Sequence, residues 1–476
     1  MKKTLPRLQS WPLMALAAGL LLSGCAVGPN YQRPASVDVS HFKEAEGWVA
    51  AAPADALDRG PWWQLFNDPV LDQLAERVAV SNQNVAAAVA GYAQARALVR
   101  EQRAGLFPTV TFDAGANRAR SGGAGASGGS SIGRVGNSFQ SSIGASWEPD
   151  VWGRLRRAAD SAGANAQASA ADLASATLSA QGELAINYLT LRQLDAQRTL
   201  FDSTLAGFRR NVEITQNRYS AGIAAKTDLL QAQTQLANAE TDQLGLQRQR
   251  AQLEHAIAVL TGEAPANFTL APQEWKPQVP EVPLVVASTL LQRRPDIAAA
   301  ERRVAAANEQ IGITRSAYYP SLALGASAGS NVARLADLFA ASTNVWSVGL
   351  SAAQLLFNAG ATGARVDGAE AAHQRAVANY RQTVLAAFAS VEDQLSASRV
   401  LLAQLELRRQ ASTAADQVEQ QVLNRYRSGQ VGFTEVITVQ ATALSARRAL
   451  VQGLADRQTT AVALMQALGG GWRAEP

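Results

Sequence analysis

The segment Asn217-Arg218-Tyr219-Ser220-Ala221-Gly222 returns 207 residues later as Asn424-Arg425-Tyr426-Arg427-Ser428-Gly429, and the match continues past both glycines. Thr227-Asp228-Leu229-Leu230 answers to Thr434-Glu435-Val436-Ile437, and Gln233 to Gln440. The chain is two copies of one unit, which overrides a division by length into unrelated domains. No Pro lies between Pro149 and Pro265 or between Pro320 and Pro476, leaving room for uninterrupted helices. The copies are expected at 62–265 and 286–470. A connecting segment at 266–285 lies between them, with 1–24, 25–61 and a tail at 471–476 outside.

The first residues read as an export signal: Lys2, Lys3 and Arg7, then an apolar stretch from Leu13 to Leu22. It ends in Leu22-Ser23-Gly24-Cys25, and Cys25 is the single cysteine of the chain. An ordinary cleavage site with a stray thiol is the plain reading, but an unpaired cysteine in an exported protein asks for more. The tetrapeptide resembles a bacterial lipobox, in which the Cys thiol receives diacylglycerol. Ala26 follows, where an Asp would favour inner-membrane retention. Such lipidation anchors the chain stably through two or more acyl chains. Without Lys2, Lys3 and Arg7, the 43 Lys and Arg fall to 40 against 39 acidic residues. A nearly neutral mature chain has no electrostatic footprint for nucleic acid.

Past the signal, no run of about 18 apolar residues is available for a spanning helix. Four segments alternate with period two instead, near 108–118, 138–148, 320–330 and 345–357. Val110, Phe112, Ala114 and Ala116 share one face, and Thr109, Thr111, Asp113 and Asn117 the other. Phe139, Ile143, Ala145 and Trp147 lie opposite Gln140, Ser142, Ser146 and Glu148. Leu322, Leu324, Ala326 and Ala328 lie opposite Ala323, Gly325, Ser327 and Gly329; Trp346, Val348, Leu350 and Ala352 lie opposite Val345, Ser347, Gly349 and Ser351. Strands of about ten residues, apolar outward and polar inward, mark a membrane barrel; two amphipathic hairpins on a soluble core are the alternative. The Gly/Ser-rich stretch Ala119 to Asn137 suits an exposed loop. Asn84 pairs with Asp296 at an offset of 212, so five residues are lost before the later motifs, and this loop is the expected place.

Four strands leave two unpaired edges, which lipid cannot satisfy. A dimer gives eight strands and a barrel filled by its own side chains; three copies give twelve and a lumen. The strand count alone therefore requires more than one chain. Between the strands, Arg154 to Tyr219 reads helical, with Phe201, Leu205, Phe208, Val212 and Tyr219 on one stripe. Val384, Phe388, Val391, Leu395 and Leu402 repeat it. Such rods reach roughly 100 Å and suit coiled-coil packing. Each ends at a turn, where Gly222 and Gly429 fit positive φ. A returning helix of roughly forty residues then runs to near Thr261 or Leu468.

Several motifs are set aside. Gly123 to Gly128 fits G-x-G-x-x-G but lies in the Gly/Ser loop. The G-x-S-x-G matches around Ser127 and Ser327 open no helix. His41, His255 and His373 are scattered, so no zinc set and no nucleophile with its base is expected.

The chain resembles the TolC-like outer-membrane efflux proteins, in particular the lipoprotein OprM/NodT branch that serves resistance-nodulation-division pumps. The matching motifs are Cys25-Ala26-Val27-Gly28-Pro29-Asn30-Tyr31, Trp62-Trp63 through Asp68-Pro69, and Trp147-Glu148-Pro149-Asp150-Val151-Trp152-Gly153-Arg154. Arg293-Arg294-Pro295-Asp296-Ile297, Tyr319-Pro320 and Ala467-Leu468-Gly469-Gly470-Gly471-Trp472 follow in order. The resemblance implies an internally duplicated α+β membrane protein whose four strands per chain close as a trimeric twelve-stranded β-barrel. A long periplasmic α-helical barrel and a small mixed equatorial region are implied with it. It also implies a homotrimer in the outer membrane of a Gram-negative bacterium, lipid-anchored and extending into the periplasm. The implied partners are a periplasmic adaptor (membrane fusion) protein and an inner-membrane resistance-nodulation-division pump. The conduit would be passive, with no catalysis and no cofactor beyond the lipid on Cys25.

The resemblance also implies a periplasmic gate at the tips, around Arg218, Tyr219, Gly222, Arg425 and Gly429. The family's tyrosine before the second glycine is Tyr426, expected to reach the Thr227-Asp228 pair of the first copy. The family's assisting arginine two residues beyond that glycine is Val431 here. Glu435 matches one acidic ring position, and the next is Thr438; a ring of Glu435 favours cations. The alternative is that Asp228 and Glu435 merely suit the positive ends of the returning helices. Two other functions stay open, an outer channel for type I protein secretion and a trimeric coiled-coil adhesin. The latter needs no duplication or returning helix.

Overall fold

The computed structural model describes residues 27–35, 42–44, 61–120, 135–280 and 294–470. Cys25, His41, Ser127 and the Gly123 to Gly128 motif lie outside these residues, as do the signal and the tail. Two short helices open the first copy, α1 (Pro69–Ser81) and α2 (Gln83–Ala104), followed by β1 (Thr109–Arg120) and β2 (Val135–Trp147). The long helix α3 (Arg154–Ser220) and the returning α4 (Lys226–Leu260) complete it. The second copy repeats the order with α5 (Pro295–Arg315), β3 (Ser321–Val332), β4 (Asn344–Ala353), α6 (Ala361–Arg427) and α7 (Phe433–Ala467).

The two long helices have 67 residues each and the returning helices 35 each, shorter than the forty expected. At 1.5 Å rise, 67 residues make a rod of about 100 Å. The offset between copies is 212 from β1 to β3 and 207 from α3 to α6, so the lost residues fall between those elements.

The chain forms two compact units, and their boundaries cut across the repeat rather than between its copies. One unit holds 1–34, 93–168 and 301–379; the other holds 35–92, 169–300 and 380–476. Each gathers equivalent pieces of both copies.

In the first unit, the strands form one antiparallel sheet in the order β1-β2-β3-β4, so β1 and β4 are its edges. The register aligns the apolar faces: Phe112 pairs with Ile143, Ile143 with Ala328, and Ala328 with Trp346. Phe112 is 68% exposed and Trp346 77% in the single chain, an outward apolar face with no protein against it. The other face carries Thr111, Gly144, Ser327 and Ser347 in one row, and the last two hydroxyls lie 2.9 Å apart. Ser327 is thus a strand residue facing another serine. Strand ends differ from expectation: β1 runs to Arg120, β2 begins at Val135, β3 reaches Val332, and β4 stops at Ala353 rather than 357. Backbone pairing carries both hairpins into stretches whose composition reads as loop. No described helix is long and apolar enough to cross a membrane.

The Trp147 to Arg154 motif joins this sheet to α3. Asp150 accepts from the backbone N–H groups of Leu155 (2.9 Å) and Arg156 (2.8 Å), capping the helix start. Arg154 forks onto Glu148 through two bonds of 3.1 and 2.7 Å. Trp152 donates to the Pro320 carbonyl (2.7 Å) and stacks on Tyr319 at 4.8 Å.

Residues 27–34 are held in the same unit. Gly28 has φ +113°, and a Cβ there would strike Gly312. Arg157 donates to the carbonyls of Pro29 (3.2 Å) and Gly28 (3.3 Å) and to Glu309 (2.5 Å). The Tyr31 hydroxyl donates to Glu301, which also receives Arg302. Burial and that bond push the Tyr31 hydroxyl upward. Burial pulls the Glu301 carboxyl upward too, but Arg302 and Tyr31 outweigh it and hold it below its ordinary value.

In the second unit, Leu194, Phe201, Leu205 and Phe208 of α3 pack with Ala239 and Leu246 of α4. The expected stripe does not persist to its ends. Tyr219 and Leu402 are exposed, while Thr215 and Leu405 are buried. A straight helix drifts away from a strict seven-residue spacing, so the seam moves to new positions.

The connecting segment is fastened to this unit by a buried charged network. Asp195 accepts from Arg192 (3.1 Å) and Arg250 (2.7 Å). Arg192 continues to the Ala271 carbonyl, and Arg250 to the Leu270 carbonyl and Glu254. Glu254 accepts from the Leu270 N–H at 2.6 Å. Tyr188, fully buried, donates to Asp68 at 2.7 Å, and burial followed by that bond pushes its hydroxyl upward. Asp68 in turn caps α1 through Val70 and Leu71. Across from this network, Gln458 of α7 accepts from Trp275 and donates to the Lys276 and Gln278 carbonyls.

Glycines end the returning helices in the same left-handed way as the long ones. Gly262 has φ +74°, and a Cβ there would meet the Ser81 carbonyl oxygen, whereas Gly222, at the same φ, has open space around it. Gly222→Ala is therefore expected to cost only backbone strain, about 1–2 kcal/mol. Gly262→Ala adds a clash with rigid backbone and should lower the thermal midpoint of the purified protein further. Equal midpoints for the two variants would contradict this account.

Candidate functional site at the helix tips

Each long helix closes with the same hydrogen-bonded turn. Gly222 donates to Tyr219 (2.9 Å) and Ile223 to Arg218 (2.8 Å); Gly429 donates to Tyr426 and Gln430 to Arg425, both at 2.9 Å. This pairing of six-residue and four-residue bonds around a glycine at φ +74° is a Schellman turn. It satisfies the last carbonyls and reverses the chain at once. Asp228 and Glu435 both fall at the third position of the returning helices, where a carboxylate suits the helix dipole. Neither helix has a side-chain cap.

Backbone equivalence hides different side-chain chemistry. Phe433 and Val436 are buried with Ala232 and Val422, and the Tyr426 ring packs against Phe433 with centroids 5.5 Å apart. In the first copy Lys226 stands where Phe433 does, and Tyr219 is exposed. Arg218 lies over the Tyr426 ring at 4.9 Å, so a cation from the first turn meets the aromatic face of the second. Thr434 donates to Gln231 (3.4 Å), and Asn211 to Gln440 (3.2 Å), adding two polar bridges between the copies.

Among the residues expected at the gate, the single chain brings Tyr426 to Arg218 and Phe433, with no hydrogen bond to Thr227 or Asp228. Glu435 has Arg425 Nη1 at 3.7 Å, both half-exposed, so this acidic position carries a compensating cation. Thr438 turns its hydroxyl back to the Thr434 carbonyl at 3.0 Å. The Arg218–Tyr426 stack and the Arg425–Glu435 pair are the contacts that motif matching misses. The two arginines are equivalent positions of the repeat, yet one serves across copies and the other within its own.

Among the described residues, no group of three or more His, Cys, Asp or Glu side chains could hold a metal ion. The tip offers aromatic, cationic and carboxylate groups without a nucleophile or a base poised on it.

The family model described as "Outer membrane efflux protein" matches residues 74–263 and 286–470, one match for each copy. The toluene efflux pump outer membrane protein TtgC of Pseudomonas putida is 31% identical over 467 residues, covering 97% of this chain and 96% of that protein. The pyoverdine export outer membrane protein OpmQ of Pseudomonas aeruginosa is 32% identical over 471 residues, covering 97% of each. The solved outer-membrane channel OprN superposes with a TM-score of 0.85 at 30% identity, covering 94% of this chain and 100% of that one. Matched in both halves of its repeat and along nearly its whole length, the chain belongs to the outer membrane efflux protein family.

Proposed function

We propose that this chain forms a passive, gated conduit that carries small toxic molecules out through the outer membrane. Three copies close the barrel, a periplasmic adaptor meets the tips, and an inner-membrane pump of the resistance-nodulation-division type supplies the energy. The observation that carries the reading is the sheet: four strands, one largely apolar face, and two open edges. Lipid tolerates no open edge, and three copies close twelve strands around a lumen. TtgC and OpmQ are named for export of toluene and pyoverdine, respectively, which supports small-molecule cargo over secreted protein. The conduit catalyses nothing and needs no cofactor. A diacylglycerol on Cys25 holds it to the membrane.

In this reading the tips are the gate. Arg218 on Tyr426 and the Tyr426–Phe433 packing support a closed arrangement. Thr227 and Asp228 offer acceptors to the Tyr426 hydroxyl, and Glu435 and Thr438 face the constriction. Purified protein in planar bilayers tests the reading. The wild type should conduct weakly, and Tyr426→Phe combined with Asp228→Ala should conduct severalfold more. A trimer that passes no current even with both substitutions rules out a gated conduit.

A further inference from the structure

The extra residues at the strand ends place arginines at one end of the sheet. Arg118 and Arg120 lie on the face of β1 that carries Val110 and Phe112; Arg118 pairs in register with Asn137 and Arg120 with Val135. Val332 of β3 pairs with Phe139, itself opposite Ala116, one level below Arg118 on that face. Arg334 follows two residues later, exposed and extended at φ −124° and ψ 134°. Neighbouring strands are about 4.8 Å apart, so β1 and β3 bring these cations within roughly 10 Å of one another laterally.

Below them the face carries one polar row, Ser141, Ser330 and Asn344, and is otherwise apolar from Phe139 to Trp147, eight steps or roughly 27 Å of strand. That length matches the apolar band of a membrane barrel, about 25 Å tall. The arginines therefore begin where the band ends, on the side away from the helices. The apolar face of the four strands bears no carboxylate, and Asp337 is the single acid of the described loop 333–343. None of the three arginines has an ion-pair partner among the described residues. An arginine on the lipid face is disfavoured near the bilayer centre and tolerated at the interface. There its planar fork matches the oxygens of a phosphate.

We propose that Arg118, Arg120 and Arg334 form a binding site for the phosphate groups of a phosphorylated glycolipid in the leaflet on the loop side of the barrel. The inference rests on the outer-membrane barrel proposed above. Acyl chains of the same molecule lie along Phe112, Phe139 and Ile143, which gives the lipid a second kind of contact that free phosphate lacks. Each trimer carries three such sites.

Native mass spectrometry of the full-length trimer, with bilayer conductance measured on the same preparation, tests this. The probes are bisphosphorylated lipid A, its dephosphorylated form and phosphatidylethanolamine. The wild type should retain lipid A about tenfold better than either other lipid. The variant Arg118→Gln, Arg120→Gln, Arg334→Gln should lose that preference while still conducting. A conducting wild-type trimer that retains all three lipids equally overturns the site and leaves the channel intact. So does a triple variant that keeps the full preference. Retention of lipid A by a trimer that passes no current even with Tyr426→Phe and Asp228→Ala supports the site and removes the channel instead.

Discussion

Asp195→Ala should destabilise the protein by about 3–5 kcal/mol, more than any exposed charge substitution in the same helices. Asp195 is the shared acceptor of two arginines, and its side chain is 3% exposed. Removing it leaves Arg192 and Arg250 facing each other with only carbonyls and Glu254 to answer them. An uncompensated buried charge loses hydration that no remaining contact restores. The exposed pair Arg209–Glu240, at 2.9 Å, provides the contrast, since both side chains sit largely in water. Glu240→Ala should cost at most about 1 kcal/mol. Thermal unfolding of the purified protein, followed by helical circular dichroism, separates the two. Equal midpoints for Asp195→Ala and Glu240→Ala would show that the network contributes no more than a surface pair. The network also holds the connecting segment by its backbone, so proteolysis near residues 268–278 should accelerate in Asp195→Ala alone.

Arg218→Ala should shift the tips toward opening by roughly ten- to hundredfold. An exposed cation–π contact contributes about 0.5–1 kcal/mol. Three copies in a ring sum to about 1.5–3 kcal/mol, which sets that factor. The substitution leaves the turn itself intact, because Arg218 serves it only through its carbonyl. Tyr426→Phe keeps the ring under the guanidinium and deletes only the hydroxyl, so the two variants separate stacking from hydrogen bonding. Arg218→Lys should fall between them, since an ammonium keeps the charge and loses the planar stack. Single-channel recording gives the open probability directly. If Arg218→Ala gates like the wild type, the stack is packing without a role in closure.

The elements of this fold were legible because each has its own signal. Strand alternation marked both faces of the sheet, and the register aligned them as the alternation required. The Tyr-x-x-Gly turns marked the helix ends to within a residue, because a left-handed glycine is hard to replace there. The strand ends were misplaced where Gly and Ser dominate, since backbone pairing needs no particular side chain. Motif matching pointed to Tyr426, Thr227 and Asp228; the single chain adds Arg218 over the Tyr426 ring. A cation above an aromatic ring has no spacing rule, so no pattern along the chain announces it.

By itself, the sequence determined the duplication, the four amphipathic strands, the two rods and their glycine turns. These follow from local periodicity and local backbone preference, which a chain carries wherever it folds. Only the tertiary structure decided that compact units form across the copies and that equivalent arginines take different partners. It also placed a buried network under the connecting segment. Those outcomes depend on which surfaces meet over hundreds of residues, and the energy of a buried charge or a stacked ring is set by that meeting.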